Sequence, residues 1–218
     1  MKYNLPKGYL SYSSMNLWKT SKDRYRKKYY GTEEYEIDTV YTRFGKYIAE
    51  TLEDKKKTKA HPVLSKIPLY ATREQPLIHT IDDVPIKGFA DSFDKRHKKI
   101  IEIKTGIKKN GIPPWDSVWV RKHDQIRLYS LMVKELFGSV HPVVKLIWLE
   151  TCWKEVCIER EFGDKVFKTC GPELALTGDF TVFERTIEDW EHDYMRKEIV
   201  RIASEISEDY TRYQSFSI

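Results

Sequence analysis

The order of elements legible in this 218-residue chain predicts an α/β fold: helices first, then three strands, a helix, a strand and a terminal helix. Three observations carry that reading. The runs Phe89–Phe93 and Ile100–Thr105 alternate with period two across a basic cluster, Lys95–Lys98, that suits an exposed turn. Val143–Thr151 is a near-continuous apolar run of strand length, the pattern of a buried strand. Between them Ile126, Tyr129, Val133 and Leu136 recur at helical spacing within Val120–Phe137, which Gly138 stops. The length suits one domain over residues 1–218, with a core at approximately 40–165, a basic N-terminal helix over 11–30 and a C-terminal helix over 186–210.

In chain order, hydroxyl residues from Ser11 to Ser14 suit a helix N-cap, and Met15, Leu17 and Trp18 offer an inward side. The later part of this helix, Lys22–Tyr30, interleaves bases with tyrosines. That composition fits phosphate contact by Arg24, Arg26, Lys27 and Lys28 with base stacking, and equally fits a basic helix whose tyrosines pack inward. Thr42–Glu53 forms a second helix on the stripe Phe44, Ile48 and Leu52, closed favourably at its negative end by Lys55–Lys57 and Lys59. His61–Tyr70, with Pro62 and Pro68, reads as a connection. Thr72–Thr80 reads as the first strand, with the hairpin as strands two and three. After Gly106 a Gly/Pro-rich loop offers Lys108 and Lys109 to phosphate, and Trp115 either to a base or to the core. Glu155–Phe162 is expected to pair with Val143–Thr151, and Phe180–Phe183 to form a short strand. Thr186–Tyr210 is a final helix with Ile187, Trp190, Tyr194, Ile199, Ile202 and Ile206 inward.

The hairpin carries the chemistry. With Arg96 and His97 at the centre of the turn, Asp91 falls opposite Glu102, and Lys104 projects to the side of Glu102. Ala90, Ser92, Ile101 and Ile103 then occupy the other face. Two facing carboxylates repel unless something positive lies between them, and a divalent cation is the natural occupant. Oxygen ligation suits Mg²⁺ and leaves room for a phosphate oxygen and an attacking water, beside which Lys104 would stand.

The text Gly88-Phe-Ala-Asp91 followed by Glu102-Ile-Lys104-Thr-Gly106 resembles the PD-(D/E)XK nuclease superfamily. Within it, the likeness is to the RecB-like exonucleases that include CRISPR-associated and phage members. Ala90 stands where the name-giving proline would be. The resemblance spans approximately residues 10–150 and implies a restriction-endonuclease-like core: a central mixed β-sheet flanked by helices, with helical N- and C-terminal additions. It implies Asp91, Glu102 and the backbone carbonyl of Ile103 as ligands of Mg²⁺ or Mn²⁺, and Lys104 as the catalytic lysine. Gln125 and Tyr129 match the family's Gln-x-x-x-Tyr helix motif, placed beside the metal and the DNA backbone.

The chain also departs from the family. Ala49 occupies the place of a helix histidine, with Glu50 next to it as a substitute ligand. Glu74 matches a glutamate that often precedes the hairpin, and is read here as an edge-strand surface charge in preference to a third acidic residue at the metal. Ser21 stands where iron–sulfur relatives hold an early cysteine. Cys152, Cys157 and Cys170 offer neither four ligands nor a close pair, so no iron–sulfur cluster is expected and the three read as ordinary thiols.

The net charge of +5 is modest, but its distribution is not even. Residues 1–60 carry 14 Lys or Arg against 8 Asp or Glu, whereas residues 150–218 carry 9 against 16, an asymmetry that would orient the chain on a polyanion. DNA is the expected partner, single- or double-stranded and held at its ends, with a homo-oligomer or a protein partner as further options. The odd cysteine count, the polar opening and the lack of a long apolar run predict an intracellular, reducing, cytoplasmic setting with no membrane span. The leading function is a Mg²⁺- or Mn²⁺-dependent deoxyribonuclease, an exonuclease first. The alternatives are a DNA-end-binding or partner-docking module of the same fold without useful turnover, and a restriction-type endonuclease.

Overall fold

The computed structural model describes residues 2–31, 39–138, 142–162 and 165–216. Helices α1 (Tyr12–Thr20), α2 (Lys22–Tyr29), α3 (Val40–Glu53) and α4 (Lys55–Ala60) come first, then strands β1 (Thr72–Ile81), β2 (Val84–Asp94) and β3 (Lys99–Ile107). Helices α5 (Ser117–Lys122) and α6 (Asp124–Phe137) lead to β4 (Val143–Phe162) and β5 (Lys165–Thr186), and α7 (Asp189–Phe216) follows. The five strands form one mixed sheet in sequence order, antiparallel throughout except for β3 and β4. Parallel neighbours need a crossover, and α5 and α6 supply it. Gly138, at φ +66, ends α6 in the left-handed conformation that glycine adopts without a Cβ clash.

Helices cover both faces of the sheet. The larger apolar cluster joins residues of α1, α2, α6 and α7 to Leu77, Ile86, Phe93 and Ile100, and the smaller joins Ile48 and Leu52 of α3 to Ile101, Ile147 and Leu149. Ile100 and Ile101 go to different clusters, as the period of two requires. The fold is thus the α/β arrangement expected, a mixed sheet flanked by helices.

Several boundaries differ from expectation, each for a local reason. The helix expected over 11–30 is two helices. Ser21 is extended (φ −162, ψ 98): its N–H donates to Leu17 O, ending α1, and its side chain accepts from Arg24 N, starting α2. Asp54 likewise separates α3 from α4 by capping Lys56 N and Lys57 N, so the lysines after Glu53 belong to a helix of their own. Asp116 caps α5, and an extended His123 breaks the helix expected over Val120–Phe137.

β4 does not turn back after Thr151. The segment Glu155–Phe162 continues the strand, because no turn residue interrupts Cys152-Trp153-Lys154, and the reversal falls between Phe162 and Lys165. Since β3 ends at the pair Ile107↔Thr151, the outer part of β4 pairs with β5 alone. On this two-stranded arm Cys157 and Cys170 are direct partners, Cα atoms 4.0 Å apart, and form a disulfide. The reading of all three cysteines as ordinary thiols is therefore overturned for two of them, and Cys152 alone is free.

In α7, Ile199, Ile202 and Ile206 are buried as expected, but Trp190 is 62% exposed and Tyr194 38%. Both rings instead lie against the Arg127 guanidinium, at 5.9 and 5.2 Å, and Met195 and Ala203 take the inward positions. The acidic side of α7 clasps the first two helices. Trp18 Nε1 donates to Glu205, Lys22 pairs with Glu205, Lys19 with Glu198, and Arg26 with Asp209. Asn4 N–H donates to Ser207 Oγ. Part of the charge asymmetry seen in the sequence is thus consumed inside the molecule. No helix among the described residues is long and apolar enough to cross a membrane.

Candidate active site

The site lies where β2 and β3 part. Their ladder pairs Ser92, Phe93 and Asp94 with Ile101, Ile100 and Lys99, the register expected from a turn centred on Arg96 and His97. Asp94 Oδ1 fixes that turn by accepting from Arg96 N and His97 N at 2.9 and 3.1 Å. The paired stretch ends there, and the Asp91 carboxylate itself takes the Ile103 N–H, Oδ2 to N 2.6 Å.

On the other side of β2 the pairing runs Arg73↔Ser92 and then Gln75↔Ala90, passing over Glu74 and Asp91, and Glu74 holds a left-handed φ of +44. Ala90 and Phe93, three residues apart, both join the larger cluster, so the period of two breaks at Asp91. This corrects the expectation that Ala90 shares a face with Ile101. The distortion frees the Asp91 carboxylate from the regular pleat and brings Glu74 beside it.

A cavity of about 280 Å³ opens at this point, lined by Asp91, Glu102, Ile103, Lys104 and Glu74, with Ile48 and Ala49 of α3 as its apolar wall. Glu102 is 3% exposed. Its Oε1 accepts from Lys104 Nζ at 2.7 Å and from Gln125 Nε2 at 2.6 Å, while its Oε2 is buried without a partner. A buried carboxylate oxygen left bare costs free energy unless some positive group completes it.

The electrostatics agree. Burial and the charge of Glu102 hold the Asp91 carboxyl well above its ordinary range, against the opposing pull of Lys104 and the Ile103 N–H. Burial also raises Glu102, although Lys104 and Gln125 act the other way. Glu74 is raised by burial, then by the charges of Glu53 and Glu102. Burial works to lower Lys104, but Glu102 and Asp91 outweigh it and raise the ammonium above its usual value. The cavity therefore holds three carboxylates that resist ionising together and one firmly charged lysine. Among the described residues no group of three or more His, Cys, Asp or Glu side chains is gathered as a ready metal site. The fit for a cation rests on Asp91 and Glu102, which line one cavity, with Glu102 Oε2 unpartnered there.

This chain shares its fold with a presumed exonuclease from Eubacterium rectale. That crystal structure superposes with a TM-score of 0.55 at 13% identity, over 92% of this chain and 83% of the other. A second solved structure, SSO0001, overlaps with a TM-score of 0.41 at 16% identity, over 95% and 77% of the two chains, and no inference rests on it. No protein-family model matches the sequence, and no curated protein matches it.

Around the cavity, α6 contributes a pair. Gln125 touches Glu102 directly, and Tyr129, four residues on, is buried against the backbone of Gly88. A Cβ at position 88 would lie 2.6 Å from Tyr129 Cε1, so the close approach needs glycine there. Other expected residues stand apart. Ala49 lines the cavity, whereas Glu50, one residue on and about 100° around the helix, is exposed and outside it. Lys108 is paired with Glu150 at 2.6 Å, and Lys109 is exposed on the following turn. Arg26 is engaged by Asp209 and Asp23, while Arg24, Lys27 and Lys28 are exposed on α2. Trp115 is half-buried against the core, its ring 4.8 Å from that of His123, which makes it an anchor.

The sequence prefers Glu74 as a surface charge over a third acidic residue at the metal, whereas the structure sets it in the cavity lining. The two-residue turn Asp82-Asp83, with φ of +47 and +67, is the signal that places it, because it sets the register opposing Glu74 to Asp91. A second neighbour, His123, is not singled out by the sequence. His123 lies between the rings of Tyr12 and Trp115, and burial lowers its pKa to about 4. Its only sequence signal was the helix break it makes.

Proposed function

We propose that this chain is a metal-dependent deoxyribonuclease of the PD-(D/E)XK superfamily, on its RecB-like branch, acting as an exonuclease. The observation that carries the reading is the convergence of Asp91, Glu102 and Lys104 on one cavity, with Glu102 Oε2 buried and unpartnered there. The name borne by the Eubacterium rectale protein of similar fold agrees with it.

Asp91, Glu102 and the Ile103 carbonyl would hold Mg²⁺ or Mn²⁺. When bound, the cation supplies Lewis-acid polarisation of the phosphodiester and a water acidic enough to attack. The chain's own groups do the rest. Asp91 is positioned by the Ile103 N–H and Glu102 by Gln125, so both carboxylates are pre-oriented. Lys104, with its ammonium raised above the usual range, holds its proton at neutral pH. Its role is to orient water and to offset charge growing on the phosphate.

The test is digestion of end-labelled linear, closed circular and single-stranded DNA side by side in Mg²⁺ and in Mn²⁺. Release of nucleotides from ends with circles spared supports the reading. Cleavage of circles turns it to an endonuclease. No metal-dependent cleavage of any substrate favours the docking module, for which Ala49, in the place of the family's histidine, is the supporting observation.

A further inference from the structure

Two cavities of opposite character meet at Lys104. The first is the acidic one holding Asp91 and Glu102. The second is a groove of about 490 Å³ between the segment Lys7–Ser13, the stretch Lys87–Phe89 of β2, and α6, and its lining contains no carboxylate. Its cations are Lys7, Lys87 and the shared Lys104. Unlike Arg26 or Lys108, neither Lys7 nor Lys87 makes an ion pair among the described residues. Both lie over aromatic rings: Lys7 Nζ is 5.3 Å from the centre of Tyr9, and Lys87 Nζ is 5.6 Å from Tyr9 and 5.5 Å from Phe89.

Phe89 is 43% exposed although it sits in the second strand of the sheet. The groove also receives the N-terminus of α1, whose first turn carries no acidic residue. Gln125 lines the groove at 6% exposure, and its Oε1 is buried with no partner. It is a second orphaned polar atom, distinct from Glu102 Oε2.

We propose that this groove holds the single-stranded DNA that leads to the cavity beside Lys104. Lys7, Lys87 and the α1 N-terminus take backbone phosphates, while Tyr9 and Phe89 take unpaired bases on their faces. Cations without counter-charges, interleaved with exposed rings and a helix N-terminus, are the elements of a track for an unpaired polyanionic strand. A duplex satisfies the cations but not the rings, because its bases are already stacked on one another. The inference rests on the nuclease reading for the direction of the strand, and not for its binding.

The test is a fluorescence-anisotropy titration in EDTA, which removes cleavage from the measurement. The probes are labelled oligo-dT, an abasic strand of equal length and a blunt duplex. Oligo-dT should bind about tenfold or more tightly than the duplex. Lys7→Ala with Lys87→Ala should weaken oligo-dT binding about tenfold and flatten the slope of log affinity against log salt by roughly 1.4. Lys7→Arg with Lys87→Arg should keep both at the parental values. Phe89→Ala should weaken oligo-dT about tenfold and leave the abasic strand within about twofold.

Equal binding of strand and duplex, or unchanged affinities in the Lys7/Lys87 and Phe89 variants, overturns the proposal. Thermal melts of the variants guard against misfolding, and Lys7 and Phe89 are exposed, so both tolerate truncation. Absence of nuclease activity would leave this inference standing, and loss of strand preference would leave the nuclease reading standing.

Discussion

Gln125, at the start of α6, donates its side-chain amide to Glu102 on β3 at 2.6 Å and so holds the one carboxylate that also grips Lys104. Gln125→Ala removes a bond to a charged group, worth about 1.5–3 kcal/mol. Cleavage and Mn²⁺ affinity should both fall by roughly 10- to 100-fold, and the melting temperature should drop by about 3–12 °C. Kinetics and calorimetric metal titration on the same preparation check this.

The two acids and the lysine should separate in their effects. Asp91→Ala and Glu102→Ala should each abolish Mn²⁺ binding and cleavage together. Metal-free Asp91→Ala should melt no lower than the parent, because it relieves repulsion between raised carboxyls, whereas metal-free Glu102→Ala should melt lower, since it leaves the Lys104 ammonium and the Gln125 amide without their acceptor. Lys104→Ala should abolish cleavage and keep metal binding, yet lower metal-free stability, since it strips Glu102 of its counter-charge. Parental Mn²⁺ binding in either acid variant would show that the ligands are misassigned.

Gly88→Ala should act on α6 from a distance. The added methyl meets the Tyr129 ring at 2.6 Å, and overpacking of this kind costs about 1–3 kcal/mol. Denaturant unfolding reads the stability loss. If the Tyr129 ring yields with no loss, the close packing of β2 on α6 is softer than the geometry implies.

His123 supplies a pH dependence. Burial lowers its pKa to about 4, below the ordinary value near 6.5. The unfolded chain takes up the proton first as pH falls, so the stability due to neutral His123 is complete above about pH 6.5 and is lost progressively towards pH 4. Melting curves across that window should show the parent losing more stability than His123→Gln. Identical slopes would remove His123 from the account.

The Cys157–Cys170 bond closes a short loop on an arm whose strands already pair with each other. Its reduction should therefore expose the arm to protease and leave cleavage at the site unchanged. Limited proteolysis with and without reductant, beside an activity assay, measures both.

The candidate site was legible because its residues lie on one hairpin whose central turn fixes the register, whereas the break in alternation at Asp91 was not. The register through Ser92↔Ile101 followed from Arg96-His97 alone. What did not follow was set by tertiary partners. Nothing near Arg26 in sequence announces Asp209, and nothing near Lys108 announces Glu150. Thus basic residues that looked free for phosphate are in part internal fasteners, while Lys7 and Lys87, isolated in the sequence, line one groove. The disulfide is hidden for a simpler reason: its cysteines lie symmetrically about the β4–β5 reversal, which falls later than the turn expected between Thr151 and Glu155.

The clasp between α1 and α7 also bears on the order of events at the ribosome. Trp18 meets Glu205 across 187 residues of sequence, and the neighbouring segment Lys7–Ser13 walls the groove. The hairpin with Asp91 and Glu102 can pair as soon as it emerges, and Leu10 of that wall then donates to Pro85 O and accepts from Lys87 N of β2. Helix α1 beside it, however, lacks its Glu198 and Glu205 partners until α7 has been synthesised. A nascent chain would thus pair its candidate catalytic residues before the helix beside the groove is braced, so the two cavities would be completed in sequence order, the acidic one first.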